Sequence, residues 1–349
     1  MSTLLDRFCR YVKIESTAVE DSGRYPSSDG QFDVSRLLEK ELKELGITDA
    51  AMAETGVVMG TVPATKEGAP TIAWVAHVDT SPEYTAKNVK PVIHENYDGK
   101  DIVLPGDKSK VIKVAESDGL AELKGKTIIT TDGTTLLGAD DKAGVAVVMD
   151  TVAHLLAHKD IPHGPIRICF TCDEEIGHGV DHVDIKKLGA HVAYTLDGEG
   201  QGVIEAETFS ADLAVVTVGG VNIHPGYGKG KMTNALRLAA KFLERMPYEG
   251  MSPETTSGRE GFLHPYIIEG GVPEVKIKIL LRDFVTARLA DKKAVLEKIA
   301  ADLNKEWPTA SVKVDVQEQY RNMADWMKQE PRAVALAEKA MRAIGLEPQ

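Results

Sequence analysis

The amino-acid sequence predicts an α/β protein: a mostly parallel sheet with helices on both faces, plus a smaller inserted α+β domain. Two observations carry this. Over residues 1–207, helix-period and strand-period segments alternate, as they do when helical crossovers join parallel strands. From residue 208 the strands alternate apolar and polar positions instead, as half-exposed strands do. The predicted organisation is a first domain over 1–207, an inserted domain over 208–322, and a return to the first domain over 323–349.

The elements follow in order. "MSTLLDRFCRYVKIES" puts Leu4, Leu5, Phe8, Tyr11 and Val12 on one helical face. Charges within that pattern make it an amphipathic helix rather than a signal peptide. "FDVSRLLEKELKELG" is a second helix, with Val34, Leu37, Leu38, Leu42 and Leu45 on one face and Gly46 as its stop. "VVMGTVPA" and "TIAWVAHVDT" read as strands, the second apolar enough to be central. "KAGVAVVMDTVAHLLAH" is a buried helix, and "GPIRICFTC" and "HVAYTLDG" are further strands. In the inserted domain, "SADLAVVTVGG", "EVKIKILLRDF" and "ASVKVDVQ" read as strands. They alternate with the helices "MTNALRLAAKFLERM" and "RLADKKAVLEKIAADLNKEW", which predicts a sheet covered on one face. "PRAVALAEKAMRAIG" then resumes as a helix.

Composition narrows the function. The chain has 349 residues, 43% hydrophobic and 27% charged, with 53 acids against 41 Lys plus Arg for a net charge of −12. The basic residues are scattered, which argues against nucleic acid or an anionic membrane surface as partner. No apolar stretch approaches the ~20 residues needed to span a bilayer, so a cytoplasmic location is expected. Three cysteines suit a reducing compartment. Cys169 and Cys172 form a C-x-x-C, but residues three apart on a strand face opposite ways, so they should not meet.

Acids and one histidine recur at equivalent places. His77 and Asp79 end one strand, Glu174 and Glu175 follow another, Asp197 follows a third, and Asp140 and Asp141 immediately precede a helix. In a parallel sheet these ends share one rim, where function gathers. Nitrogen and oxygen ligands delivered there by four segments predict a metal site. His77 and Asp79, at i and i+2, share a face, so Asp79 can orient the imidazole. One of Asp140 and Asp141 can cap the helix, leaving the other for a different use. Adjacent Glu174 and Glu175 point different ways, so one can bind metal while its neighbour reaches water.

The blocks "HVDTSP", "TTDGTTLLGADDKAG", "IPHGPIRICFTCDEEIGHG", "AYTLDGEG" and "HPGYGKGKMTNA" resemble those of the M20 family of co-catalytic zinc peptidases, in order along the chain. The resemblance implies an aminopeptidase acting on tripeptides, with two zinc ions. It implies that His77 and Asp197 hold one zinc, that Asp140 bridges both, and that Glu175 holds the second. Asp79 would be the carboxylate behind His77, Glu174 the general base, and the Asp140–Asp141 peptide bond cis. The inserted domain would be a lid and dimerisation domain, making a homodimer. From it His224 would stabilise the oxyanion, while Asn234 and Arg282 would hold the substrate. A histidine before proline can also be a turn residue, and Arg282 and Asp283 can also form a local ion pair. A dipeptidase, carboxypeptidase or deacylase of the same fold is the alternative. Chains of this family continue beyond the last helix to a further histidine that completes the second zinc. The sequence here stops at "GLEPQ", so an incomplete second site, at most one metal and little or no hydrolysis are expected of it.

Overall fold

The computed structural model describes residues 3–198 and 200–349. They form two compact units, Met1–Gly200 and Gln201–Gln349.

The helices of the first unit are α1 (Leu4–Tyr11), α2 (Asp29–Glu44), α3 (Ala139–Ala157) and α4 (Ile185–Leu188). Its strands are β1 (Ala51–Met52), β2 (Val58–Val62), β3 (Ile72–His77), β4 (Val92–His94), β5 (Ile102–Val103), β6 (Val111–Ile112), β7 (Ile128–Thr130), β8 (Ile166–Thr171) and β9 (Val192–Thr195). The main sheet has the order β1-β2-β8-β3-β9. The trio β8-β3-β9 is parallel, whereas β1-β2 and β2-β8 are antiparallel. The sheet is therefore mixed, with an antiparallel edge beside a parallel core. β3 is an interior strand paired on both sides, in keeping with its apolar run, but the central strand is β8.

Alternation along the strands divides the apolar side chains between two faces. On one, Ile166, Ile168 and Phe170 of β8 and Val58 and Val62 of β2 pack with Phe8, Leu38, Leu42, Val145 and Met149 of the long helices. On the other, Met59, Ala73 and Cys169 pack with Leu188 of α4. The second face thus has only a short helix over it. Cys169 and Cys172 fall in opposite cores and remain free thiols.

The α1 face departs from its predicted pattern. Leu4 is exposed, while Arg7 is buried. The reason lies on α2: Glu41 accepts from Arg7 Nη1 at 2.9 Å, Arg10 Nε at 2.9 Å and Tyr11 Oη at 2.6 Å. A buried acid with three donors compensates the burial of the arginine. Between β3 and α3 the chain also builds two small two-stranded sheets, β4-β7 and β5-β6, around Tyr97, Ile102, Leu104 and Leu120.

The second unit contains β10 (Ser210–Gly219), α5 (Ala235–Arg245), β11 (Phe262–Gly270), β12 (Glu274–Asp283), α6 (Leu289–Glu306), β13 (Ser311–Tyr320), α7 (Ala324–Met327) and α8 (Arg332–Ala343). Its antiparallel sheet runs β11-β12-β10-β13. Val216, Val218, Ile277 and Ile279 meet Leu238 and Phe242 of α5 and Leu296 and Leu303 of α6 on one face. Strand β11 goes beyond the predicted elements. It contains Pro265, where its register shifts, and it lies at the sheet edge, the place where a missing N–H is tolerated. Residues 323–349, assigned by the sequence pattern to the first domain, group here with the second unit. Among the described residues no helix is long and apolar enough to cross a membrane.

Candidate metal and catalytic site

The site is built on the carboxyl ends of the three parallel strands. β3 ends at His77, and Asp79 follows it. β8 leads into the turn bearing Glu174 and Glu175, and β9 leads to Asp197. The fourth contribution is Asp140, at the start of α3. The Asp140–Asp141 peptide bond is cis, as the family resemblance implies.

The two aspartates divide their work as capping chemistry requires. Asp141 is buried; its Oδ2 accepts from His77 N at 3.1 Å and its Oδ1 from Gly144 N at 3.1 Å. It caps the helix and ties it to the end of β3. Asp140 keeps its side chain in the open cleft, with Oδ1 2.9 Å from His77 Nε2. Gly144 permits this close packing, because a Cβ there would collide with the Leu196 carbonyl and with Asp141.

Around the buried His77 ring, Nε2 lies 3.6 Å from Asp197 Oδ1 and 3.9 Å from Glu174 Oε2. Glu175 joins His77 and Asp140 in a group whose donor atoms all lie within 4.8 Å of one another. Asp79 is fully buried behind the ring, its Oδ1 3.3 Å from Nδ1. That approach lacks hydrogen-bond alignment, and Nδ1 has no other partner. Asp79 also accepts from Glu174 N at 3.1 Å and Glu175 N at 3.0 Å, fixing both glutamates to the end of β3.

Electrostatics show what the cluster lacks. Burial opposes charge on His77, but the hydrogen bond to Asp140 and the adjacent carboxylates of Asp197 and Asp79 outweigh it and raise the imidazole pKa. The His77 hydrogen bond lowers Asp140. Burial, then the nearby Asp140 charge, pushes Glu175 up to about 7. Burial also raises Glu174 and carries Asp141 up to about 8. Four carboxylates facing one imidazole are short of positive charge, which a divalent cation would supply.

The donors suit such an ion. Tetrahedral zinc with bonds of ~2.0–2.2 Å places its ligand atoms roughly 3.3 Å apart. The 2.9 Å and 3.6 Å separations from Nε2 to Asp140 and Asp197 bracket that spacing. Asp141 also comes within range of His77 and Asp197, but backbone N–H groups already occupy both of its oxygens. Asp140 is the better ligand.

The three predicted residues of the second unit are placed as follows. His224 is exposed, and its Nδ1 accepts from Gly226 N at 3.1 Å, a turn contact. Asn234 caps α5, accepting from Leu236 N at 2.9 Å. Arg282 lies on β12 with its Nε buried and unpartnered. The alternative ion pair to Asp283 does not form: neighbours on a strand face opposite ways, and Asp283 pairs with Lys292 instead. Asp173 went unassigned in the sequence. It is buried, in a left-handed conformation with φ 57°, and bonded to Ser27 and Gln31. No local pattern distinguishes it from the two acids that follow.

Comparison with known proteins identifies relatives along the whole chain. Residues 207–311 match the M20 peptidase dimerisation domain. The chain is 42% identical over 346 residues to peptidase T of Geobacillus thermodenitrificans, covering 99% of this chain and 84% of that protein. It is 44% identical to peptidase T of Desulfitobacterium hafniense, covering 100% of this chain and 85% of that one. Its fold resembles that of aminopeptidase PepT from Bacillus cereus, with TM-score 0.71 and 24% identity over 99% of this chain and 83% of the other. It also resembles a dinuclear metal-binding M20 peptidase from Bacillus subtilis, with TM-score 0.60 and 11% identity over 99% and 80%. With family-level identity along its whole length and a mixed α/β unit whose rim gathers candidate metal ligands, the chain belongs to the peptidase T family, aminopeptidases of the M20 metallopeptidase class.

Proposed function

We propose that this chain is a zinc-dependent aminopeptidase that releases the N-terminal residue from tripeptides and works as a homodimer; its peptidase T relatives, matched along the whole chain, support turnover against the little or no hydrolysis expected from the sequence. The observation that carries the reading is the convergence of Asp140, Glu174, Glu175 and Asp197 on the single imidazole of His77. His77 and Asp197 would hold one zinc, Asp140 would reach both ions, and Glu175 would hold the second. When bound, zinc acidifies the attacking water and polarises the scissile carbonyl.

Glu174 takes the proton from that water and returns it to the departing amine. Its side chain is half exposed, and burial raises its pKa towards the range a general base needs. Asp79 orients His77 from behind and, through the two N–H groups it accepts, sets the direction of both glutamates. Arg282 holds the substrate carboxylate with a guanidinium whose buried Nε has no internal partner. Asn234 contacts the substrate backbone, and His224, exposed on its loop, stabilises the oxyanion. The match to a dimerisation domain supports the homodimer.

The test is turnover of a free tripeptide, the matching dipeptide and the N-acetylated tripeptide, each with and without a chelator. The proposal expects hydrolysis of the free tripeptide at its first bond, lost with chelator and regained with zinc. Equal cleavage of the acetylated tripeptide, or turnover indifferent to chelator, would overturn it.

A further inference from the structure

The acids at the end of β8 are held from a second direction, and the holder is remote in sequence. Asp173 immediately precedes Glu174, and its side chain is 1% exposed. Its Oδ2 accepts from Ser27 N at 2.6 Å, and its Oδ1 accepts from Gln31 Nε2 at 2.6 Å and from the Ser27 hydroxyl. The contact is reciprocal, since Asp173 N donates to Gln31 Oε1 at 3.0 Å. One residue earlier, the Cys172 carbonyl accepts from Tyr25 Oη at 2.9 Å. The Tyr25 ring also packs against His182, beyond the turn, with centroids 4.1 Å apart. Gln31 is completely buried near the start of α2.

Every polar backbone group from the Cys172 carbonyl to the Glu175 N–H that meets one of these partners is therefore fixed from one of two sides. Asp79 holds the N–H groups of Glu174 and Glu175, and the 25–31 segment holds Cys172 and Asp173. A solvated turn would not bury a third carboxylate at the expense of its hydration; here three donors, the Ser27 N–H, the Ser27 hydroxyl and the Gln31 amide, compensate that burial. Holding Asp173 left-handed turns the chain sharply after β8, which sends Glu174 into the cleft rather than along the strand direction.

We propose that Asp173 and Gln31 are positioning residues: their paired hydrogen bonds set the aim of Glu174 in the reaction. The inference rests on Glu174 being the general base. A loose base still leaves substrate binding intact, because the affected step is proton transfer, which depends on sub-ångström placement. The expected signature is a fall in kcat with KM nearly unchanged.

The experiment uses the full-length, metal-loaded enzyme with a tripeptide substrate. Variants are Gln31→Leu, Asp173→Asn, Glu174→Gln as control, and the exchange pair Gln31→Glu with Asp173→Asn. In the pair, the new Asn amide donates to the new Glu carboxylate, so the donor and acceptor between the side chains are swapped rather than lost. Metal content, melting temperature and deuterium exchange of the 172–176 backbone are measured beside kcat and KM. Each single variant is expected to lose at least tenfold in kcat, with KM within twofold and metal content unchanged. Exchange at 172–176 should be faster, and the exchange pair should recover several-fold in kcat.

Full kcat in both single variants, with Glu174→Gln inactive, overturns the inference and leaves the base assignment standing. Losses that track metal content or melting temperature, or an exchange pair no better than its parents, assign these residues to folding alone and also overturn it. An active Glu174→Gln variant removes the base itself, and the inference with it.

Discussion

Replacing Glu41 by Leu should cost the first unit a large part of its stability. The glutamate side chain is 11% exposed and its partner Arg7 5%, with 2.9 Å between charges. Removing one member of such a buried pair costs about 3–5 kcal/mol, because the other charge is left in low dielectric. Arg10 adds little: its side chain is 38% exposed, and an exposed pair contributes about 0–1 kcal/mol. Tyr11, fully buried, loses the acceptor for its hydroxyl, at about 1–3 kcal/mol. These losses overlap, so a fall of about 3–5 kcal/mol is expected against a typical total of ~5–15 kcal/mol. Urea unfolding followed by circular dichroism measures it. The physical cause is separable from mere disruption. A triple variant, Arg7→Met, Tyr11→Phe and Glu41→Leu, leaves no buried polar group unpaired and should recover most of the loss. A single variant losing under about 1 kcal/mol, or a triple variant no better than the single, would refute the reasoning.

Three further outcomes are expected. Stability of the metal-free protein should fall as pH rises from about 5 to 8. The folded pKa values of Glu175 and Asp141 are raised to about 7 and about 8, so the folded state binds more protons there than the unfolded chain, and raised His77 adds the same sign above its unfolded value near 6.5. Thermal melts in chelator across that range check it, and a flat or rising profile would contradict the charge assignment. Thiol titration of the native protein should find at most Cys9, partly accessible, while Cys169 and Cys172, buried and held up to about 12, react only after unfolding. Rapid native reaction of three thiols would place the 169–172 segment wrongly. Mixing subunits carrying His224→Ala with subunits carrying Glu174→Gln should restore part of the activity if His224 serves the partner's site, and inactive confirmed heterodimers would argue against that arrangement.

Much of the site was legible because parallel strands end at a common rim. His77, Asp79 and Asp197 each follow an apolar run, so their shared location can be read without any long-range information. The division between Asp140 and Asp141 was legible only as an alternative, since either carboxylate can cap; the His77 N–H that Asp141 also accepts comes from 64 residues away. Asp173 was not legible at all. It is a third acid in an acidic run, and its partner Gln31 lies 142 residues earlier. The small two-stranded sheets of β4 to β7 escaped for another reason: strands of two or three residues show no alternation to detect. Arg7 escaped because periodicity counts a charge as exposed, and only the fold supplies Glu41.

The central claim is that neighbouring glutamates do different work, one moving a proton and one holding a cation. Zinc content and tripeptide turnover, measured together on Glu174→Gln and Glu175→Gln in the full-length enzyme, test it most directly. Removing a general base while keeping its shape should lower kcat by about 10²–10⁴-fold. The Glu174→Gln variant should therefore keep the parent zinc content and lose turnover on that scale, while Glu175→Gln should bind measurably less zinc. Zinc loss in Glu174→Gln with none in Glu175→Gln, or near-parent turnover in Glu174→Gln, would contradict the account.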